Sequence, residues 1–229
     1  ESAMSKVWNK KIFQHIKKGV DKSSKDLAKE RGACLDAKEQ NVEERYSNKM
    51  AIAPTASISI IAGNSSPGVE PFAANSFTQK TLTGSFSVRN KNLVKLLEEK
   101  GRNTDDVWSS ITTNEGSVQH LDFLDDHEKL VFKTAPEIDQ RWVVDLAGER
   151  QEYICQAQSI NVFLPGDASK KDLHEIHFRA WQKGVKSLYY CRSTSVQRAD
   201  KVSHKSQIDN IIMKETNQEP IEYEECLSC

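Results

Sequence analysis

A chain of 229 residues has room for one large domain or two small ones, and 32 basic against 33 acidic residues leave it nearly neutral. That balance gives no support for a general nucleic-acid binder, which carries a basic stripe, and no apolar run approaches a membrane span. A hydrophobic content of 37% with a mean hydropathy of -0.63 is low, so much of the chain is solvated or a partner completes its core.

Residues 5–31 predict an amphipathic helix. Trp8, Ile12, Ile16 and Val20 recur every fourth residue, Val7, Phe13 and Leu27 widen the stripe, and Gly32 is the expected stop. The charged, helical character of the first thirty residues does not read as a signal peptide. "KMAIAPTASISIIAGNSSPGVEP" (Lys49–Pro71) reads as a short strand over Met50–Ala53, a turn at Pro54 and a short helix ending at Gly63. Residues 64–83, rich in Gly, Pro, Ser, Thr and Asn, read as loop.

Asn90–Lys100 reads as a helix, and Thr104 caps another over Asp105–Thr113. Thr134–Glu137 has the form of a capping box, leading a helix with Ile138, Trp142, Val143 and Leu146 inward. Ser159–Leu164 reads as a strand. Ser169 caps a helix over Lys170–Lys183 with Leu173, Ile176, His177, Ala180 and Trp181 on its inner face, and Val185–Tyr190 is the next strand. Strand, helix, strand in that order predicts a right-handed parallel crossover. Residues 1–198 are then one α/β unit, and 199–229 a flexible tail with an apolar island at Ile208–Met213. So few parallel strands close no barrel, so the unit reads as part of a larger α/β assembly.

Three features bear on chemistry. The first is Pro54–Ser59, where a helix start with free amides, helped by the Thr55 and Ser57 hydroxyls, suits a phosphate. The alternative is an ordinary strand-to-helix turn. The second is the pair Tyr189-Tyr190, which is either aromatic packing or a relay for electrons and protons. The third is the terminal Cys226–Cys229 pair. It is half a zinc site without a second half, a redox dithiol or an accident. Glu224 and Glu225 disfavour an attacking thiolate there but not a reductant delivered elsewhere by the tail. The other cysteines, Cys34, Cys155 and Cys191, are widely spaced and read as buried or incidental. No disulfide framework is evident, and a reducing cytoplasm is the expected compartment. The six histidines form no ligand cluster, so no metal site is expected.

In combination these stretches resemble a known family. "LAKERGAC" (Leu27–Cys34), "APTASISIIAGNSSPGVEPF" (Ala53–Phe72), "GSVQHLDFL" (Gly116–Leu124), "EIDQRWVVDLA" (Glu137–Ala147), "ICQAQSINVFLP" (Ile154–Pro165) and "GVKSLYYCRS" (Gly184–Ser193) are similar to the C-terminal part of the large subunit of class I ribonucleotide reductases. The resemblance implies the last strands of a ten-stranded α/β barrel, incomplete alone, and a part in reducing ribonucleoside diphosphates by radical chemistry. Thr55, Ala56, Ser57 and Ile58 would hold the substrate diphosphate. Tyr189 and Tyr190 would pass the radical, and Cys226 and Cys229 would re-reduce the active-site disulfide.

The implied partners are an N-terminal large-subunit portion, a small subunit bearing a dimetal tyrosyl-radical cofactor, and thioredoxin or glutaredoxin, with no nucleic acid or membrane. This chain would bind no cofactor, and ATP and deoxynucleotide effectors would bind the N-terminal portion. Either the chain is one half of a split large subunit or it is a piece of a longer one. The rival readings are a non-catalytic assembly module descended from the reductase and a stand-alone thiol oxidoreductase.

Overall fold

The computed structural model describes residues 1–63, 65–81 and 84–193, which fall within one compact unit. Helix α1 (Ala3–Arg31) starts where Ser2 Oγ accepts from the Ser5 amide at 3.1 Å and stops at Gly32, whose φ of 82° suits glycine. The helix is as expected, but its buried face is not. Ser24 and Ala28 are buried, whereas Trp8 is 58% exposed and Ile12 and Ile16 are also exposed. Asn9 and Lys6 instead turn that side of α1 toward a later helix, through bonds to Leu146 and Asp145. After α2 (Leu35–Glu39) the chain reaches Ile52, which makes an isolated parallel bridge to Gln158 in place of the expected strand. Helix α3 (Ala56–Ile61) follows the Pro54 turn.

The segment read as loop contains a hairpin. Strand β1 (Ser76–Thr81) pairs antiparallel with β2 (Gly84–Arg89), Phe77 opposite Val88. Turn-forming residues masked a period-two alternation that Phe86 and Val88 do carry. Helices α4 (Lys91–Glu99) and α5 (Asp105–Thr113) follow the expected spans, with Asn90 and Thr104 accepting at their starts. Leu93, Leu97, Trp108, Ile111, Val118, Leu121 and Leu124 form a core around them. Helix α6 (Asp126–Val131) was not anticipated, although Asp125 and Glu128 form a capping box.

The Thr134 box is present but starts a 3-10 turn, Ala135–Glu137, and Asp139 then caps α7 (Gln140–Gln151). Within α7 the buried residues are Gln140, Val144, Asp145, Ala147 and Arg150, not the predicted stripe. Strand β3 (Val162–Leu164), helix α8 (Lys170–Gln182) and strand β4 (Cys191–Ser193) make the predicted parallel crossover. Ser169 and Asp172 form the capping box of α8. The second strand starts later than expected, after Tyr190. Helix α8 buries Ile176 and Ala180 against Val144 and Val162, but leaves His177, Leu173 and Trp181 exposed, Trp181 by 72%.

Three extended segments therefore lie side by side: 50–52, 156–164 and 189–193. Ile52 donates to Ala157 and accepts from Ser159 on one side, while Ile160 accepts from Tyr189 and Val162 donates to Tyr190 on the other. Among the described residues this sheet is open at both edges, as a portion of a barrel would be. The same residues contain no helix long and apolar enough to cross a membrane.

Candidate functional site

The site grows from the point where the first extended segment leaves the sheet. Pro54 breaks the ladder, and Thr55 takes a left-handed conformation (φ 51°, ψ 30°) that turns the chain into α3. The Ala56, Ser57 and Ile58 amides have no acceptor among the described residues, and all three residues are exposed. The Thr55 hydroxyl does not cap α3. It accepts from the Gly68 amide at 2.7 Å, which ties the turn to the returning loop. Ser59, buried behind the turn, donates to the Ala56 carbonyl at 2.8 Å.

That loop is fastened in turn by Glu70. Its carboxylate accepts from the Asn161 amide at 2.5 Å, a donor that the first segment would have satisfied had it continued past Pro54. Two residues further on, the Phe163 amide donates to Gln140 Oε1 at 2.9 Å. Two side chains thus replace the missing strand. Sequence reasoning named neither, because an isolated Glu or Gln carries no periodic signal.

On the other side of the same middle segment stands the tyrosine pair. The Tyr189 and Tyr190 rings lie 4.2 Å apart between centroids, tilted by 59°. Strand alternation would separate neighbouring side chains, but both residues precede the regular strand β4, so the rings meet. Each is about half exposed. The Arg192 guanidinium lies 5.3 Å from the Tyr190 ring centre, and its Nε reaches Asn161 Oδ1 at 3.4 Å. Register sets the level of both features. Ile52 is opposite Gln158 and Cys191 opposite Val162, so the turn leaves the sheet about where the tyrosines join it. Two strand spacings separate them laterally, roughly 10 Å.

Behind the sheet, Arg150 anchors α7 to the middle segment. Its Nε donates to Gln158 Oε1 at 2.7 Å, and Gln158 is fully buried. Burial pulls the Arg150 guanidinium down to about 10, against the attraction of Glu70.

Of the lone cysteines, read as buried or incidental, none is fully buried: Cys34 is half-buried, and Cys155 and Cys191 are exposed. The Lys49 and Met50 amides each donate to Cys155 Sγ at 3.1 Å. Burial pushes the Cys155 thiol up, but these amide bonds and nearby Lys186 outweigh it and hold it below the ordinary thiol range. Cys226, Cys229, the island Ile208–Met213 and the boundary expected near 198 lie outside the described residues.

Residues 35–191 match the family model described as "Ribonucleotide reductase, barrel domain", and that span holds the turn, the Glu70 loop and the tyrosine pair. The chain belongs to the ribonucleotide reductase family. It is 44% identical over 215 residues to the ribonucleoside-diphosphate reductase large subunit of Invertebrate iridescent virus 6, covering 92% of this chain and 22% of that protein. With the putative large subunit of Frog virus 3 it shares 39% identity over 218 residues, covering 95% of this chain and 36% of that one. The solved class Id ribonucleotide reductase alpha subunit of Actinobacillus ureae superposes with a TM-score of 0.77 at 41% identity, over 85% of this chain and 35% of that one. The chain thus spans between about a fifth and about a third of the length of these relatives.

Proposed function

We propose that the chain acts as the C-terminal portion of the catalytic subunit of a class I ribonucleoside-diphosphate reductase. The observation that carries this reading is the pairing of an amide-rich turn and a contacting tyrosine pair on opposite sides of one strand, at one level. The Ala56, Ser57 and Ile58 amides, with the Thr55 and Ser57 hydroxyls, offer donors to a substrate diphosphate. The Gly68–Thr55 bond leaves the Thr55 hydroxyl proton free to donate.

Tyr189 and Tyr190 would relay the oxidising equivalent. Each phenol gives up an electron together with its hydroxyl proton and recovers both from the next group, and ring contact keeps the hop short. Cys226 and Cys229 would act last. Their two thiols transfer two electrons and two protons to the active-site disulfide and become a disulfide themselves, which thioredoxin or glutaredoxin then reduces. A cytoplasmic setting suits that chemistry. Substrate reduction needs two further polypeptide portions: the rest of the large subunit, with the nucleotide effector sites, and a radical-generating small subunit with its metal pair.

The test is reconstitution with both. Tyr189→Phe and Tyr190→Phe are each expected to abolish ribonucleotide reduction while leaving substrate binding unchanged. Activity retained in either variant would favour a non-catalytic assembly module. Replacing both Cys226 and Cys229 by Ser should abolish turnover with thioredoxin yet spare it with a small dithiol, whereas equal loss with both reductants would remove the tail from the mechanism.

A further inference from the structure

A cavity of about 450 Å³ opens between the start of α1, helices α6 and α7, and the 69–71 segment. Its walls are apolar in part, with Val69, Leu130, Trp142, Val143 and Leu146, and polar in part, with Ser2, Ser5, His127 and a Lys133–Glu1 ion pair of 2.5 Å. Two charged side chains also line it, Glu70 at 5% exposure and Arg150 at 4%.

Neither spends its full hydrogen-bonding capacity on the protein. Arg150 donates through Nε to Gln158 and through Nη1 to Asn9, and Nη2 has no acceptor among the described residues. Glu70 accepts from Asn161 at Oε1, and Oε2 accepts nothing among the same residues. The two do not form an ion pair with each other there, although the Glu70 charge reaches Arg150. Arg150 Nη2 and Glu70 Oε2 are therefore open to water from the cavity, and a ligand that supplies the same bonds displaces that water.

We propose that this cavity binds a neutral small molecule with an apolar body and a planar amide edge. The amide N–H donates to Glu70 Oε2, its carbonyl accepts from Arg150 Nη2, and the body lies against Trp142 and Leu146. Net charge is selected against in both senses: an anion meets the Glu70 carboxylate and a cation meets the Arg150 guanidinium at low dielectric. The volume falls within the range of small-molecule sites, about 300–1,000 Å³. The proposal stands independently of the reductase reading, because it uses neither the turn nor the tyrosine pair.

The test uses the full chain with ¹⁵N-labelled tryptophan, the Trp142 indole signal being assigned by its loss in Trp142→Phe. Benzamide, benzoate, benzylamine and ethylbenzene are titrated in turn. Benzamide is expected to move the Trp142 signal saturably and to bind about tenfold more tightly than the other three. Leu130→Trp, at a side chain already 59% exposed, should block the mouth and abolish the shift. Glu70→Gln should reverse the order of benzamide and benzoate. If that variant does not fold, the four-probe series and Leu130→Trp decide alone. Equal binding of all four probes, no movement of Trp142, or a shift that survives Leu130→Trp would overturn the proposal.

Discussion

The Asn161 amide donates to the Glu70 carboxylate at 2.5 Å, in the place where a neighbouring strand would have accepted. The first extended segment can therefore leave the sheet at Pro54 without orphaning the middle one. Its amides are released to the α3 turn, while Glu70 and Gln140 meet the Asn161 and Phe163 donors.

Gly68 is where this arrangement is tightest. Its φ is 66°, and a Cβ there would meet Glu70 Oε2 at 2.8 Å. Gly101 has a similar φ of 65° with nothing within 4 Å of a Cβ. Gly101→Ala should cost about 1 kcal/mol, from backbone strain alone. Gly68→Ala should cost more, about 2 kcal/mol, because the carboxylate must move. Urea unfolding of the two variants separates strain from collision, and equal losses would mean that the carboxylate yields freely.

Gln158 and Arg150 are predicted to be coupled. Gln158→Leu leaves the Arg150 Nε buried without its 2.7 Å acceptor, and should cost about 2–4 kcal/mol. Adding Arg150→Met removes the stranded charge and should restore part of that loss. A double-mutant cycle from denaturant midpoints reads the coupling, and additive losses would contradict it.

Asp145 accepts two 2.8 Å hydrogen bonds from Arg179. Those bonds hold its carboxyl below the usual aspartate range. A depressed folded-state value means that the stabilisation is complete above the unfolded value of about 3.9 and is lost as pH falls through the folded one. Asp145→Asn should therefore cost about 1 kcal/mol near neutrality, a modest figure because Arg179 is 36% exposed. The gap from the parent protein should narrow below about pH 4. A gap that stays constant down to pH 2 would exclude the linkage.

Cys155 is exposed, and backbone amides favour its thiolate. Its alkylation by iodoacetamide, followed by peptide mass mapping, should rise with pH through a midpoint below the ordinary thiol value of about 8.5. Lys186→Gln should move that midpoint upward, since the lysine charge helps hold it down. No movement would assign the whole effect to the amides.

Most elements were legible because their signals are local. Ser169 with Asp172, Thr104 before Asp105, and Gly32 after Arg31 mark helix ends within four residues of the backbone groups they satisfy. The hairpin 76–89 is not legible in the same way, because Thr, Ser and Gly are turn formers by composition, although Phe77 and Val88 pair across it. The stripe Trp8, Ile12, Ile16 stays exposed for a different reason. Periodicity identifies an apolar face but not which face meets a neighbour, and here polar contacts through Asn9 and Lys6 orient α1.

The candidate site divides along the same line. The amino-acid order alone determined that Pro54 ends an extended run beside small hydroxyl residues, that two tyrosines adjoin, and that the whole reads as one family. These are properties of neighbours in the chain, set by backbone sterics and side-chain type. Only the tertiary structure decided that the turn and the tyrosines flank one strand, that Glu70 and Gln140 stand in for a missing one, and that Arg150 is buried beside a cavity. Those relationships join residues 91 positions apart at Asn161 and Glu70 and 141 apart at Arg150 and Asn9. They depend on which donors the sheet leaves unsatisfied, and no local pattern encodes that.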